Sequence, residues 1–209
     1  MRCPYCKTPI SENTPACPRC ALNVETAATA FGSPPHLQRG VNDATLALSE
    51  AQRRRVQSAF TGFHDHFPQI HLSLVTVSLT EETGLAAYAF WLFNRAGLCP
   101  PSERGGANHD ILLTLDTQCH RAHLTFGYGL EPYAGEFLAK EVLLKAQDSF
   151  RTGNWTAGII TTVDTLQTSL ISLTADLDRT YGVSVKDFYD AEKERLEEIA
   201  NTASNGERW

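Results

Sequence analysis

Residues 108–131 read NHDILLTLDTQCHRAHLTFGYGLE, and this stretch decides the fold of the chain. The run 110–116 is apolar between two aspartates and fits a strand. A short polar turn follows, then 119–126 alternates side chains as a second strand, and Gly127-Tyr128-Gly129 turns into Glu131. The two strands are close enough in sequence to form an antiparallel hairpin. Asp110 opens the first strand and Glu131 follows the second, so the pairing puts both acids at one edge of the sheet.

Working outward, Ser49 and Gln52 have the spacing of a capping box. Val56, Phe60, Phe63 and Phe67 then recur at helical intervals up to Pro68, which predicts a helix over 50–66. IHLSLVTVSL (70–79) has the β-branched content of a strand. Thr80 is placed to cap a helix that shows Leu85, Tyr88, Ala89, Leu92 and Phe93 on one face and ends at Gly97. Beyond the hairpin a helix is expected over 136–150, with Phe137, Leu138, Val142 and Ala146 inward. A second is expected over 155–173, with Ile159, Val163, Leu166 and Leu170 inward. Strands that flank a helix should be parallel and the hairpin antiparallel. The expected fold class is therefore α/β, a three-layer α/β/α sandwich on a small mixed sheet with no internal repeat.

The 209 residues, 42% hydrophobic and 20% charged, suffice for one main core and a small appendage. Eighteen basic against 24 acidic residues give a formal charge of -6, which disfavours binding to a phosphate backbone. No run reaches the roughly 18 apolar residues of a membrane span, and MRCPYC is not a signal sequence, so a cytoplasmic protein is expected. Cys3, Cys6, Cys17 and Cys20 form C-x2-C-x10-C-x2-C. Two such knuckles complete the tetrahedral thiolate shell of a structural Zn²⁺, with two disulfides as the alternative. The expected divisions are a zinc ribbon over 1–22, a linker over 23–40, a main domain over 41–178 and a C-terminal part over 179–209. That last part contains the amphipathic segment VKDFYDAEKERLEEIA (185–200). Cys99 and Cys119 stand apart with no recognisable catalytic context.

A hard cation such as Ca²⁺ or Mg²⁺ takes oxygen ligands from separated segments, and Asp43, Asp110 and Glu131 are the candidate carboxylates, with Asn108 as a further oxygen donor. Gly127 and Gly129 are placed to let backbone approach an anion. Each has a structural alternative: a turn-forming role for Asp43 and Asn108, a helix cap for Glu131, and conformational freedom for the glycines. A cation there would polarise a phosphoryl group and activate water.

The pieces VNDATLALS (41–49), the helix ending in RAG, the strand pair with GYGLE (127–131) and FRTGNWTAGI (150–159) followed by VDTL together resemble the TPM-domain family. That resemblance implies an α/β/α sandwich. It also implies one of several roles: an acid phosphatase, a Ca²⁺ binder through acidic residues, or an assembly factor. The chain departs from the family pattern at Asn108-His109-Asp110, where relatives place a glycine, and at Pro132. Two functions follow as expectations: a metal-assisted phosphatase acting through the acidic edge, or a non-enzymatic adaptor whose ribbon, main domain or C-terminal helix binds a protein partner.

Overall fold

The computed structural model describes residues 3–10, 14–100, 102 and 107–181, with side chains through residue 174. The amphipathic segment 185–200 lies outside the described residues. The chain divides into two compact units, Met1–Gln167 and Thr168–Trp209. The element order is α1 (Val24–Phe31), β1 (Val41–Asp43), α2 (Glu50–His66), β2 (His71–Val77), α3 (Leu85–Arg95), β3 (Asp110–Asp116), β4 (Arg121–Phe126), α4 (Glu131–Arg151) and α5 (Trp155–Tyr181), which begins in the first unit and runs into the second.

The four strands lie side by side in chain order. β1, β2 and β3 are parallel and β3–β4 is the antiparallel hairpin, so the sheet is mixed as expected. β3 is buried along its whole length and therefore needs cover on both faces. Val75, Val77 and Leu112 point to one face, where they pack with Trp91, Leu92 and Phe93 of α3 and with Ala27 of α1. Side chains of opposite parity, Leu72, Leu74, Ile111 and Leu113, are buried on the other face, and α2 and α4 pack against the sheet there. These are the three layers.

Helix α2 matches its predicted limits because its ends are chemically explicit. Ser49 and Gln52 make the reciprocal capping box, and Phe67-Pro68 closes the other end. The stretch 23–40, expected as a linker without regular structure, instead holds α1. Asn23 and Thr26 cap it reciprocally, and Phe31 packs edge-on to Tyr88 at 5.2 Å. Leu37 is buried in the same cluster, so this stretch belongs to the core.

Two other elements differ from expectation for identifiable reasons. Helix α3 starts at Leu85 rather than after Thr80, because the carbonyls of Thr80 and Thr83 accept hydrogen bonds from the Arg121 guanidinium at 3.1 Å and are not free to open a helix. In α4 the buried stripe is Ala134, Leu138, Val142, Ala146 and Phe150, a strict four-residue spacing. Phe137 falls off that stripe and is 83% exposed, which corrects its expected core position. α4 also starts earlier than expected and carries a break in its helical geometry at Gly135. In the α4–α5 corner, a Cβ on Gly158 would collide with the ring of Phe150, so glycine is required where the two helices meet.

Candidate functional site

The four ribbon cysteines converge. Their sulfurs all lie within 4.8 Å of one another, with Cys3–Cys20 at 3.6 Å and Cys6–Cys17 at 3.5 Å. A tetrahedral shell with metal–sulfur bonds of about 2.3 Å has sulfur–sulfur edges of about 3.8 Å, whereas a disulfide needs about 2 Å. The cysteines are free thiols, and their geometry fits a metal ion such as zinc. The two knuckles repeat one backbone design. The Cys3 and Cys17 amides donate to the Thr8 and Leu22 carbonyls, both at 2.9 Å. The Lys7 and Ala21 amides return to the Cys3 and Cys17 carbonyls, with positive φ at Lys7 and Ala21. The Thr8 hydroxyl and amide beside Cys6 lower its thiol to about 6, while burial pushes Cys20 up to about 12. A bound dication would deprotonate the set.

The three candidate carboxylates do not converge. Asp110 stands opposite His71 and Asp43 opposite Thr76, five residues apart along β2, or about 16 Å at about 3.3 Å per residue. They therefore occupy opposite ends of the parallel strands. Asp43 is fully engaged: one oxygen accepts from the Ala47 amide (2.9 Å) and the Thr76 hydroxyl (2.7 Å), the other from the Leu48 amide (3.0 Å) and Arg53 (3.4 Å). It fixes the β1–α2 loop, including Leu46, which has positive φ and is 81% exposed. Asp110, 2% exposed, is gripped by Arg39 through Nε at 3.0 Å and Nη2 at 3.3 Å.

Asn108 and Gly127 act together as a turn. Asn108 Oδ1 accepts from the Asp110 amide and its carbonyl accepts from the Gly129 amide, both at 3.0 Å, while the Gly127 amide donates to the Asp110 carbonyl at 2.8 Å. A Cβ on Gly127 would overlap the Asn108 carbonyl, so close backbone approach accounts for the glycine.

One buried carboxylate had no counterpart among the sequence candidates. Asp116 is fully buried at the far end of β3; its Oδ1 accepts from the amides of Leu79, Gln118 and Cys119, and its Oδ2 from Arg121 at 3.0 and 2.6 Å. Burial alone would raise its pKa, but Arg121 and the amides hold the carboxyl below the ordinary 3.8. The Cys119 thiol donates to the Leu79 carbonyl, and burial and the Asp116 charge raise its pKa. The signal for this bracket was local: an aspartate at a strand end before a tight turn bonds amides two and three residues on.

Glu131 does reach a cavity. A space of about 160 Å³ lies beside β4, between Phe90 and Phe93 of α3, the start of α4 and the first ribbon knuckle, which contributes Pro4 and Lys7. Burial raises the pKa of Glu131 and of Tyr128 and lowers that of His123 to about 4, so His123 is neutral at pH 7. A larger cavity of about 530 Å³ shares Phe93, Asn94 and Tyr128 with it and is bordered by Asn108 and Cys99. Asp43 and Asp110 line neither.

The TPM domain family model matches residues 41–169, which takes in every strand. The chain belongs to the TPM-domain family. Among solved structures, the N-terminal domain of a P. gingivalis protein is similar at 23% identity and a TM-score of 0.52, over 76% of this chain and 93% of that one. The N-terminal domain of the cg2496 protein of Corynebacterium glutamicum is similar at 13% identity and a TM-score of 0.49, over 66% and 84%. No curated protein matches the chain. In this TPM domain, as elsewhere, the fold is firmer than any activity attached to it. No helix among the described residues is long and apolar enough to cross a membrane.

Proposed function

We propose that the chain is a non-enzymatic binding module in which a zinc-loaded ribbon and a TPM domain together engage a protein partner. The observation that carries this reading is the fate of the acids. Asp43 and Asp110 stand at opposite ends of the sheet; Asp43 is spent on Arg53, two backbone amides and the Thr76 hydroxyl, and Asp110 on Arg39. Three carboxylates distributed in this way do not offer a hard cation the convergent oxygen shell that metal-assisted phosphoryl transfer requires. Against this, the ribbon borders the cavity on β4, so the metal-stabilised appendage and the TPM domain contribute to one concave surface. In the cysteine site Zn²⁺ would act as a structural ion, since four thiolates leave no open position for water.

The test is turnover of p-nitrophenyl phosphate by the purified full-length chain in the presence of Mg²⁺, Ca²⁺ or Mn²⁺ between pH 5 and 8. The expected result is no rate above buffer. A metal-dependent rate abolished by Asp110→Ala would replace this reading with the phosphatase one.

A further inference from the structure

β4 is an edge strand of the four-stranded sheet, and such edges are commonly covered by a loop or helix. His123 and Thr125 pair with Thr114 and Leu112 on the α3 face, while Leu124 and Phe126 pair with Leu113 and Ile111 on the opposite face. Residues of both sets line the cavity of about 160 Å³, between α3 and α4, so the cavity wraps the outer margin of the strand. Pro4 and Lys7 of the first knuckle complete its wall. Each follows a cysteine of the ribbon directly, Pro4 after Cys3 and Lys7 after Cys6, so the place of this wall is tied to the place of the sulfurs.

The two knuckles are anchored differently. The second runs into the core: the Cys17 amide donates to the Leu22 carbonyl (2.9 Å), the Thr26 hydroxyl of α1 to the Ala21 carbonyl (3.2 Å), and Leu22 packs against the cluster that holds Trp91 and Phe93. In the first, the Cys3 amide donates to the Thr8 carbonyl, the Lys7 amide to the Cys3 carbonyl and the Cys6 thiol to the Thr8 hydroxyl, all within the knuckle itself. The sulfurs join the first knuckle to the second, Cys3 to Cys20 and Cys6 to Cys17. Thiols bond one another only weakly, whereas one zinc ion would bridge all four.

We propose that the first knuckle is a metal-held cover: while the four cysteines share one ion, Pro4 and Lys7 are kept against β4, and loss of the ion opens the cavity. This rests on the binding-module reading for the use of the surface and names what controls it, since that surface is then complete only in the metal-loaded chain. His123 senses the cover from outside the ribbon. Burial and the charge of Lys7 hold its imidazole at about 4, and both causes weaken when the knuckle leaves. Tyr128, Glu131 and Glu136 are the other titratable groups in the wall. The test is an NMR titration of the His123 ring in the isotope-labelled full-length chain, zinc-loaded and again after zinc removal with excess EDTA. On removal its midpoint is expected to rise from about 4 toward the ordinary 6.5, while the resonances of Leu113 and Ile159, buried in the core, stay in place. Cys17→Ser, which alters no residue of the cavity wall, is expected to give the zinc-free titration without chelator. An unchanged His123 midpoint after zinc removal would overturn the proposal, because the cover would then hold without the ion. Loss of the core resonances would overturn it as well, because the ion would then support the whole domain. Neither failure removes the binding-module reading, which phosphate-ester turnover would remove by itself.

Discussion

Asp116→Ala is expected to destabilise the TPM domain by about 3–5 kcal/mol, the cost of breaking a buried pair from one side. The substitution releases more than one bond. Three amides, those of Leu79, Gln118 and Cys119, lose their acceptor, and Arg121 loses the anchor that orients it toward the Thr80 and Thr83 carbonyls. The loop before α3 and the hairpin turn are then no longer tied together. Because the folded-state pKa lies below the ordinary 3.8, this contribution is intact above about pH 4 and is lost as the pH falls through the folded-state value. Urea unfolding of wild type and variant at pH 7 and again at about pH 3 checks both points: the gap between them should narrow at the lower pH. A variant as stable as wild type at pH 7 would show that the bracket is incidental.

Cys17→Ser is expected to abolish metal retention in the ribbon. The wild-type chain should carry about one zinc per molecule by elemental analysis, and the variant, with three thiolates and a hydroxyl, a small fraction of that. Since Cys17 is 3% exposed and its carbonyl receives the Ala21 amide, loss of the ion should unfold the second knuckle while the TPM core remains. Mass spectrometry of the denatured wild type gives the opposing result directly. Four alkylatable thiols in the ribbon agree with a metal site, and two disulfides without metal would contradict it.

Which parts of this were legible in the sequence follows from the range of the interactions concerned. Strand β3 and helix α2 were readable to the residue, because an apolar run between aspartates and a capping box ended by proline are local statements. Helix α1 is not legible although Asn23 and Thr26 carry its cap, since VETAATAF is too short and too rich in small residues to show an apolar stripe. Strand β1 has three residues, fewer than any period needs. Phe137 and Leu138 are adjacent apolar residues, and sequence alone does not say which one a helix broken at Gly135 turns inward.

The site shows the same division. That Asp110 and Glu131 share an edge was legible from hairpin pairing, and the four cysteines announced themselves by spacing. That Asp43 lies at the other end depends on the parallel register of β1 against β2, set by residues more than thirty positions apart. The arginine partners are equally non-local: Arg39 reaches Asp110 across 71 positions. Counting carboxylates in the sequence therefore does not reveal that Asp43 and Asp110 already have arginine partners.

On the proposed function, Asp43 and Asp110 serve as structural brackets and belong to no cation site. Calorimetric titration of Ca²⁺ into the zinc-loaded full-length chain tests it most directly. No binding tighter than about 1 mM, the weak end of protein calcium sites, is expected. Stoichiometric micromolar binding that disappears in Asp110→Asn would contradict it.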